Sequence, residues 1–335
     1  MKTLVTGGAG FIGSHLVGRL LRTADAEVTC LDNYNDYYAQ QLKRENVRPY
    51  ADHARVTLVE ADFTDHAAMR RLFEESQFDY VVHLGGFAGV RYSVENPKPY
   101  EEHNVGGTLS LLEAARHVPV KRFLLASSST VYGRGADAPF REDAPLGVPL
   151  SPYGASKRAA ELMGLTYCDL FQVPVVCIRP FSIYGPRLRP DLALTIFARC
   201  ILDDRPLPLF GDGSIRRDFT YVDDFCDGLE AALAADGVVG EAINLGHDEP
   251  VAVREVIELL EATLGRKAKI QRLPDRSGEM PVTHADLTKA RRLLGYEPKM
   301  SFAAGVQAYC DWLLESEAAG VISFPPATTP LRKTA

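Results

Sequence analysis

Apolar residues cluster in short runs at positions 3–5, 28–31, 56–59, 80–84, 123–126 and 175–178. Runs of this length predict strands, and strands apolar at successive positions belong in a sheet covered by helices on both faces. The segments between them change period. Ile12, Leu16 and Leu20, with Val17 and Leu21, share one side of a helix and leave Arg19 and Arg22 facing away. Comparable stripes run through 67–73, 105–115 and 155–170. This alternation predicts right-handed β-α-β units and an α/β fold built on a doubly wound parallel sheet.

The texture changes after residue 180. Pro180, Pro186, Pro190, Pro206 and Pro208 interrupt the chain, and Gly211-Asp212-Gly213 marks a turn. Helical periodicity returns at 223–234, 253–264, 286–294 and 302–314, and 242–245 reads as a late strand of the first sheet. The expected organisation is a first unit over 1–180 with a return at about 222–246, a smaller mixed α/β region made of 181–221 and 247–322, and a loose tail over 323–335.

Composition narrows the class. The 335 residues are 46% hydrophobic and 24% charged, which excludes a disordered or collagen-like chain. A formal net charge of -7 gives no bulk attraction to nucleic acid or an anionic membrane, and neither partner is expected. No apolar run approaches the ~20 residues of a membrane span. Met1-Lys2 leads directly into a strand, so no signal peptide is expected. The six cysteines, at 30, 168, 177, 200, 226 and 310, form no C-x-x-C pair and are expected as buried thiols in a reducing cytoplasm. The eight histidines show no ligand spacing. No metal is expected; His83 reads as a core residue and His15 as a helix-surface one.

Candidate chemistry begins at the first strand. Thr6-Gly7-Gly8-Ala9-Gly10-Phe11-Ile12-Gly13 follows that strand and opens a helix. Gly7, Gly10 and Gly13 let the backbone turn and approach a pyrophosphate, while the helix N-terminus offers N–H donors. Asp32 closes the second strand about 20 residues on, where a carboxylate receives a ribose diol and repels a 2′-phosphate. NAD is thus expected over NADP. Asp62, after the third strand, suits either the adenine amino group or the cap of the next helix.

A second constellation lies further on. Of 14 tyrosines only Tyr153 has a lysine four residues later, Lys157, which on a helix shares its face. A neighbouring ammonium lowers a phenol's pKa and makes it a usable base. The strand end Ala126-Ser127-Ser128-Ser129-Thr130-Val131-Tyr132-Gly133 puts hydroxyls where parallel sheets place their ligands, or forms a polar turn with local bonds. No G-x-S-x-G elbow is present, so nucleophilic serine catalysis fits poorly.

The glycine loop, the Ser/Thr strand end and Tyr-x-x-x-Lys together resemble the extended short-chain dehydrogenase/reductase family. The likeness covers nearly the whole chain. It continues at 105–108, 179–186 and 217–224, segments similar to those of nucleotide-sugar epimerases and dehydratases. The segments at 32–38 and 88–97 lie outside the shared cofactor core and resemble the UDP-glucuronate 4-epimerase branch.

The resemblance implies a Rossmann domain holding NAD tightly, a C-terminal region holding a UDP-sugar, and a homodimer formed by the helices at 100–117 and 153–170. Tyr153 would be the base, Lys157 its partner and nicotinamide-ribose anchor, Ser128 the bridging hydroxyl, and Thr130 a neighbour of the hexose. Asn33, Leu84, Gly85, Gly86, Ala88, Asn104 and Pro180 would join Gly7, Gly10, Phe11, Ile12, Gly13, Asp32 and Asp62 at the cofactor. Gly85-Gly86 departs from the family's usual Ala-Ala. Ser127, Ser128, Ser182 and Arg189 would lie near a uronate carboxylate, with Arg189 otherwise a solvated loop residue. Arg91 would face the substrate, Arg217 and Arg276 the phosphates, and Glu279 the uridine ribose.

Dehydratases of this family carry an acid before the Val-Tyr-Gly segment, where this chain has Ser129 and Thr130. Without that acid, expulsion of water lacks its proton donor. The expected reaction is reversible oxidation at C4 of a UDP-hexuronic acid through a transient 4-keto sugar. UDP-glucose as the substrate, alone or beside the uronate, and a non-catalytic NAD-binding regulator are the alternatives.

Overall fold

The computed structural model describes residues 1–274, 280–318 and 320. Its first half delivers strand and helix in turn: β1 (Lys2–Thr6), α1 (Phe11–Leu20), β2 (Glu27–Asp32), α2 (Gln40–Val47), β3 (Val56–Glu60), α3 (His66–Ser76), β4 (Tyr80–His83), α4 (Val90–Glu95), α5 (Thr108–His117), β5 (Arg122–Ala126), α6 (Pro152–Phe171) and β6 (Val175–Pro180). A wider π-helical stretch, Tyr100–Gly107, runs straight into α5. The second half holds β7 (Ser182–Tyr184), α7 (Ala193–Leu202), β8 (Pro206–Phe210), β9 (Arg216–Tyr221), α8 (Val222–Ala234), β10 (Ala242–Leu245), β11 (Pro250–Ala252), α9 (Val253–Leu264), β12 (Lys269–Leu273), α10 (Thr288–Leu294) and α11 (Phe302–Ala318).

Seven parallel strands form the main sheet in the order β10-β6-β5-β4-β1-β2-β3. The order reverses direction between β1 and β4, which opens a crevice at the carboxyl ends of these strands. As expected, 242–245 returns as a strand of this sheet, pairing with β6. Two small sheets, β11-β9-β7 and β12-β8, lie in the second half. The tail at 323–335 lies outside the described residues.

The structure corrects the sequence at three places. β3 is an edge strand with Thr57 and Leu58 exposed, because among the described residues no strand lies beyond it and α3 packs against α5. Arg19 does not face away from the protein. It pairs with Asp227 and Glu230 of α8, which packs along α1. His15 is not a surface residue either, since its Nε2 meets the Pro186 carbonyl oxygen at 2.9 Å and burial pushes its pKa down to about 4. Helix periodicity marks the side that meets the sheet and is blind to a second covering layer. His83 is a core residue as expected, bridging Thr6 at 2.7 Å and Thr108 at 3.1 Å. All six cysteines are free thiols, five of them buried.

Candidate active site

The loop after β1 is shaped by contact between backbones. Gly7 has φ +65, and a Cβ there would sit 2.8 Å from the Gly85 Cα in the loop after β4. A Cβ on Gly13 would sit 2.2 Å from the Gly7 carbonyl oxygen. The two glycine loops therefore touch, and α1 begins at their edge. Its N-cap, Gly10, offers no side chain, so the first-turn N–H groups at Phe11, Ile12 and Gly13 are left for a ligand. Thr6 ties the loops together by accepting the Gly85 N–H at 3.2 Å.

At the end of β2, Asp32 is buried and accepts from the Tyr34 N–H at 2.9 Å and from Lys43 Nζ at 3.2 Å. Lys43 also reaches Asn35 at 3.2 Å. Asn33 donates to Asp62 at 2.8 Å, and Asp62 accepts from the backbone N–H and hydroxyl of Thr64 at 2.8 and 2.7 Å. Asp62 closes that turn without capping α3, a task that falls to Asp65, which accepts the Ala68 N–H at 2.9 Å.

Gly86 adopts φ +138, and a Cβ there would lie 2.5 Å from Asn104 Oδ1, so an alanine would displace that side chain. Asn104 sits on the π-helical stretch. It accepts from the Phe87 N–H at 2.8 Å and donates to the Phe87 carbonyl and to Ser156 Oγ, each at 2.9 Å. One side chain thus fastens the loop after β4 to α6.

Ser151 caps α6, accepting the Gly154 N–H at 3.1 Å, and Pro152 takes the first helical position. Tyr153 and Lys157 follow one turn apart. Lys157 is buried, donates to the Ala126 carbonyl at 2.9 Å, and has its pKa lowered to about 8 by that burial. Burial also raises the Tyr153 phenol, and this outweighs the Ser128 hydrogen bond and the Arg189 charge that pull it down. The lowering expected from Lys157 is not among the influences on the phenol, which are burial, Ser128 and Arg189. Ser128 caps the short turn Ser129–Tyr132, accepting from the Thr130 N–H at 3.2 Å and its hydroxyl at 2.9 Å. The Ser127 hydroxyl is buried with no partner among the described residues.

These elements line a cleft that is open to solvent. Gly7, Gly10–Gly13, Asp32, Asn33, Tyr37, Tyr38, Lys43, Leu84–Ala88, Ser127, Tyr153, Lys157, Pro180 and Arg189 are among the residues that line it. Asp62, Asn104, Ser128 and Thr130 stand directly behind this lining. Arg189 is no solvated loop residue, since Asp191 grips it at 2.9 and 2.8 Å. Three candidates lie apart from the lining. Ser182 pairs with Phe219 in a small sheet, Arg91 stacks on Phe210 at 5.5 Å, and Arg217 donates to the Arg216 and Met280 carbonyls, both at 2.9 Å. Arg276 and Glu279 lie outside the described residues. Sequence reasoning missed Lys43, Tyr37, Phe87 and Asp191. The one available cue was the aromatic cluster at 34–38.

A glycine cradle, an uncapped helix start, a buried acid at the end of β2 and a Tyr/Lys pair at the end of β5 define a dinucleotide-dependent enzyme of the short-chain type. The family described as GDP-mannose 4,6 dehydratase matches residues 4–309, and the chain belongs to it, within the extended short-chain dehydrogenases/reductases. The chain is similar to a UDP-glucuronate 4-epimerase of Thermodesulfobacterium geofontis, 40% identical over 93% of this chain and 96% of that one. It is also similar in structure to the UDP-glucuronic acid 4-epimerase of Bacillus cereus in complex with UDP-glucuronic acid and NAD. That match has a TM-score of 0.89 and 36% identity, over 94% of this chain and 99% of that one. A dTDP-glucose 4,6-dehydratase of Streptomyces venezuelae with NAD bound gives a TM-score of 0.88 at 33% identity, over 95% of this chain and 98% of that one.

Proposed function

We propose that this chain is an NAD-dependent UDP-glucuronate 4-epimerase, interconverting UDP-glucuronate and UDP-galacturonate. The observation that carries this reading is that Tyr153, Ser127 and Arg189 line one cleft, with the Ser128 hydroxyl behind them bonded to the Tyr153 phenol. A hexuronate offers each its complement, with a C4 hydroxyl for the phenol and a carboxylate for the cation and hydroxyls. Ser129 and Thr130 stand where water expulsion would need an acid, which separates this chain chemically from dehydratases of the same fold.

The residues fit NAD. Phe11, Ile12 and Gly13 would donate to its pyrophosphate, Asp32 would accept from the adenosine ribose, and Gly85, Gly86 and Lys157 would flank the nicotinamide ribose. When bound, the nicotinamide supplies the reversible redox change at C4. Tyr153 takes the proton from the C4 hydroxyl and returns it to the C4 oxygen after the sugar has turned its other face. Ser128 holds the reacting oxygen during both transfers. Lys157 keeps a positive charge one helical turn away, which favours the phenolate as it forms. The 4-keto sugar turns over between the two transfers while the UDP stays fixed. Arg217, with Arg276 and Glu279, is proposed to hold that UDP, and Arg91 and Ser182 to border the hexose. In this reading 1–180 with 222–246 carry the cofactor, and 181–221 with 247–322 carry the nucleotide sugar. The enzyme is read as a cytoplasmic homodimer. Among the described residues no helix is long and apolar enough to cross a membrane.

Product analysis by NMR tests the proposal. Purified protein given UDP-glucuronate should form UDP-galacturonate without releasing CO2. Tyr153→Phe should keep its NAD and lose turnover by about a hundred- to ten-thousand-fold. Conversion of UDP-glucose alone, or near-normal turnover in the variant, would refute the reading or the role of Tyr153.

A further inference from the structure

The Arg189 guanidinium is held along one edge by neighbouring side chains. Asp191 accepts from its Nε at 2.9 Å and its Nη2 at 2.8 Å, a two-point grip on one edge of the planar group. Tyr37, from the segment after β2, donates its hydroxyl to Asp191 Oδ2 at 3.1 Å, and its ring centroid lies 5.6 Å from the Arg189 Cζ. The fit is made at a glycine. Gly89, after β4, has φ +101, and a Cβ there would lie 2.5 Å from the Tyr37 hydroxyl and 3.8 Å from Asp191 Oδ2. Segments following β2, β4 and β7 therefore converge on one arginine. Burial pushes the Asp191 carboxyl up, yet the Arg189 charge and bonds from Arg189 and Tyr37 hold it below its ordinary value, so it is an anion at neutral pH.

A guanidinium has five donors and two edges that each match a carboxylate. Asp191 fills the Nε/Nη2 edge. The Nη1/Nη2 edge remains for a ligand, and Arg189 lines the cleft together with Tyr153. We propose that Asp191 and Tyr37 are positioning residues that fix Arg189, so that its second edge receives the carboxylate of a uronic acid at a set angle in each of the two orientations between which the 4-keto sugar turns. This rests on the UDP-hexuronate reading above. It adds an explanation of how the carboxylate survives the keto stage. In a 4-keto uronate, breaking the C5–C6 bond sends its electron pair toward the C4 carbonyl as an enolate. CO2 departs, and the enolate takes a proton at C5 from water. That cleavage needs the C5–C6 bond aligned with the carbonyl π system. A carboxylate clamped by a fixed fork is kept out of that alignment, whereas one held by a swinging arginine is not.

Asp191→Asn, Asp191→Glu and Tyr37→Phe test the assignment, each checked for retained NAD. Asp191→Asn should weaken UDP-glucuronate binding about tenfold while leaving UDP-glucose binding unchanged. It should also release measurable CO2 and UDP-pentose during turnover. Asp191→Glu should recover part of both losses, and Tyr37→Phe should show a smaller loss of the same kind. Wild-type affinity and product ratio in Asp191→Asn would overturn the proposal. So would equal weakening for both nucleotide sugars. Tighter UDP-glucuronate binding would also overturn it, by showing that Asp191 competes for the arginine. If the unmodified enzyme forms no UDP-galacturonate, the functional reading itself fails, an outcome distinct from all of these.

Discussion

Lys157 is a cation held where a cation is costly. Its pKa of about 8 lies below the ordinary 10.5, so between those values the unfolded chain binds a proton that the folded chain lacks. Stability therefore falls as pH drops through that window, and the full cost, about 3 kcal/mol, is present below pH 8. Lys157→Met should raise the melting temperature of the cofactor-free protein at pH 7 and abolish turnover. Calorimetry at pH 10.5 should show the gain shrinking toward zero. The Tyr153/Lys157 pair was legible in the sequence because one helical turn fixes its geometry without any tertiary knowledge. Lys43 and Asp191 were not legible. Lys43 reaches Asp32 across a loop of no fixed period, and Asp191 matters only through Tyr37, which is distant in sequence.

At the scale of elements, strand runs and helix stripes set out the sheet correctly, including the late return of β10. Less regular pieces left no period to read. The helices α2, α4 and α7 and the π-helical stretch at Tyr100–Gly107 were missed as separate elements, the last because its widened turn interrupts the stripe leading into α5. Helix α1 shows the cost of reading one face only. His15, packed under the Pro186 segment, titrates near 4, and His83, at the junction of β1, β4 and α5, near 3. Both values are depressed from 6.5, so the unfolded state binds protons that the folded state refuses. Stability is lost as pH falls from 6.5 toward 4. The urea midpoint should accordingly drop between pH 7 and pH 4.5. His15→Gln, which retains a donor for the Pro186 carbonyl, should show a smaller drop.

For the molecule as a whole, the sequence left open whether the apolar residues of α5 and α6 are core or interface. Those of α5 are mostly core, but Leu162, Leu170 and Phe171 of α6 are 51%, 64% and 37% exposed. Exposed leucines spaced along one helix are consistent with the proposed pairing of two chains. Light scattering should report twice the chain mass, and Leu162→Glu combined with Leu170→Glu should report one. The register of β10 has a separate consequence, for synthesis. A ribosome that has delivered residues 1–180 has released six of the seven strands of the main sheet, with β6 as a bare parallel edge. The strand that covers this edge emerges only with residue 245, after β7, β8 and β9 have been made. Vectorial folding cannot finish the nucleotide cradle first and add the sugar-binding half later. The nascent chain must hold an unfinished sheet until its downstream partner arrives, and a product cut short at the apparent boundary would go to proteolysis instead of yielding a working half-enzyme.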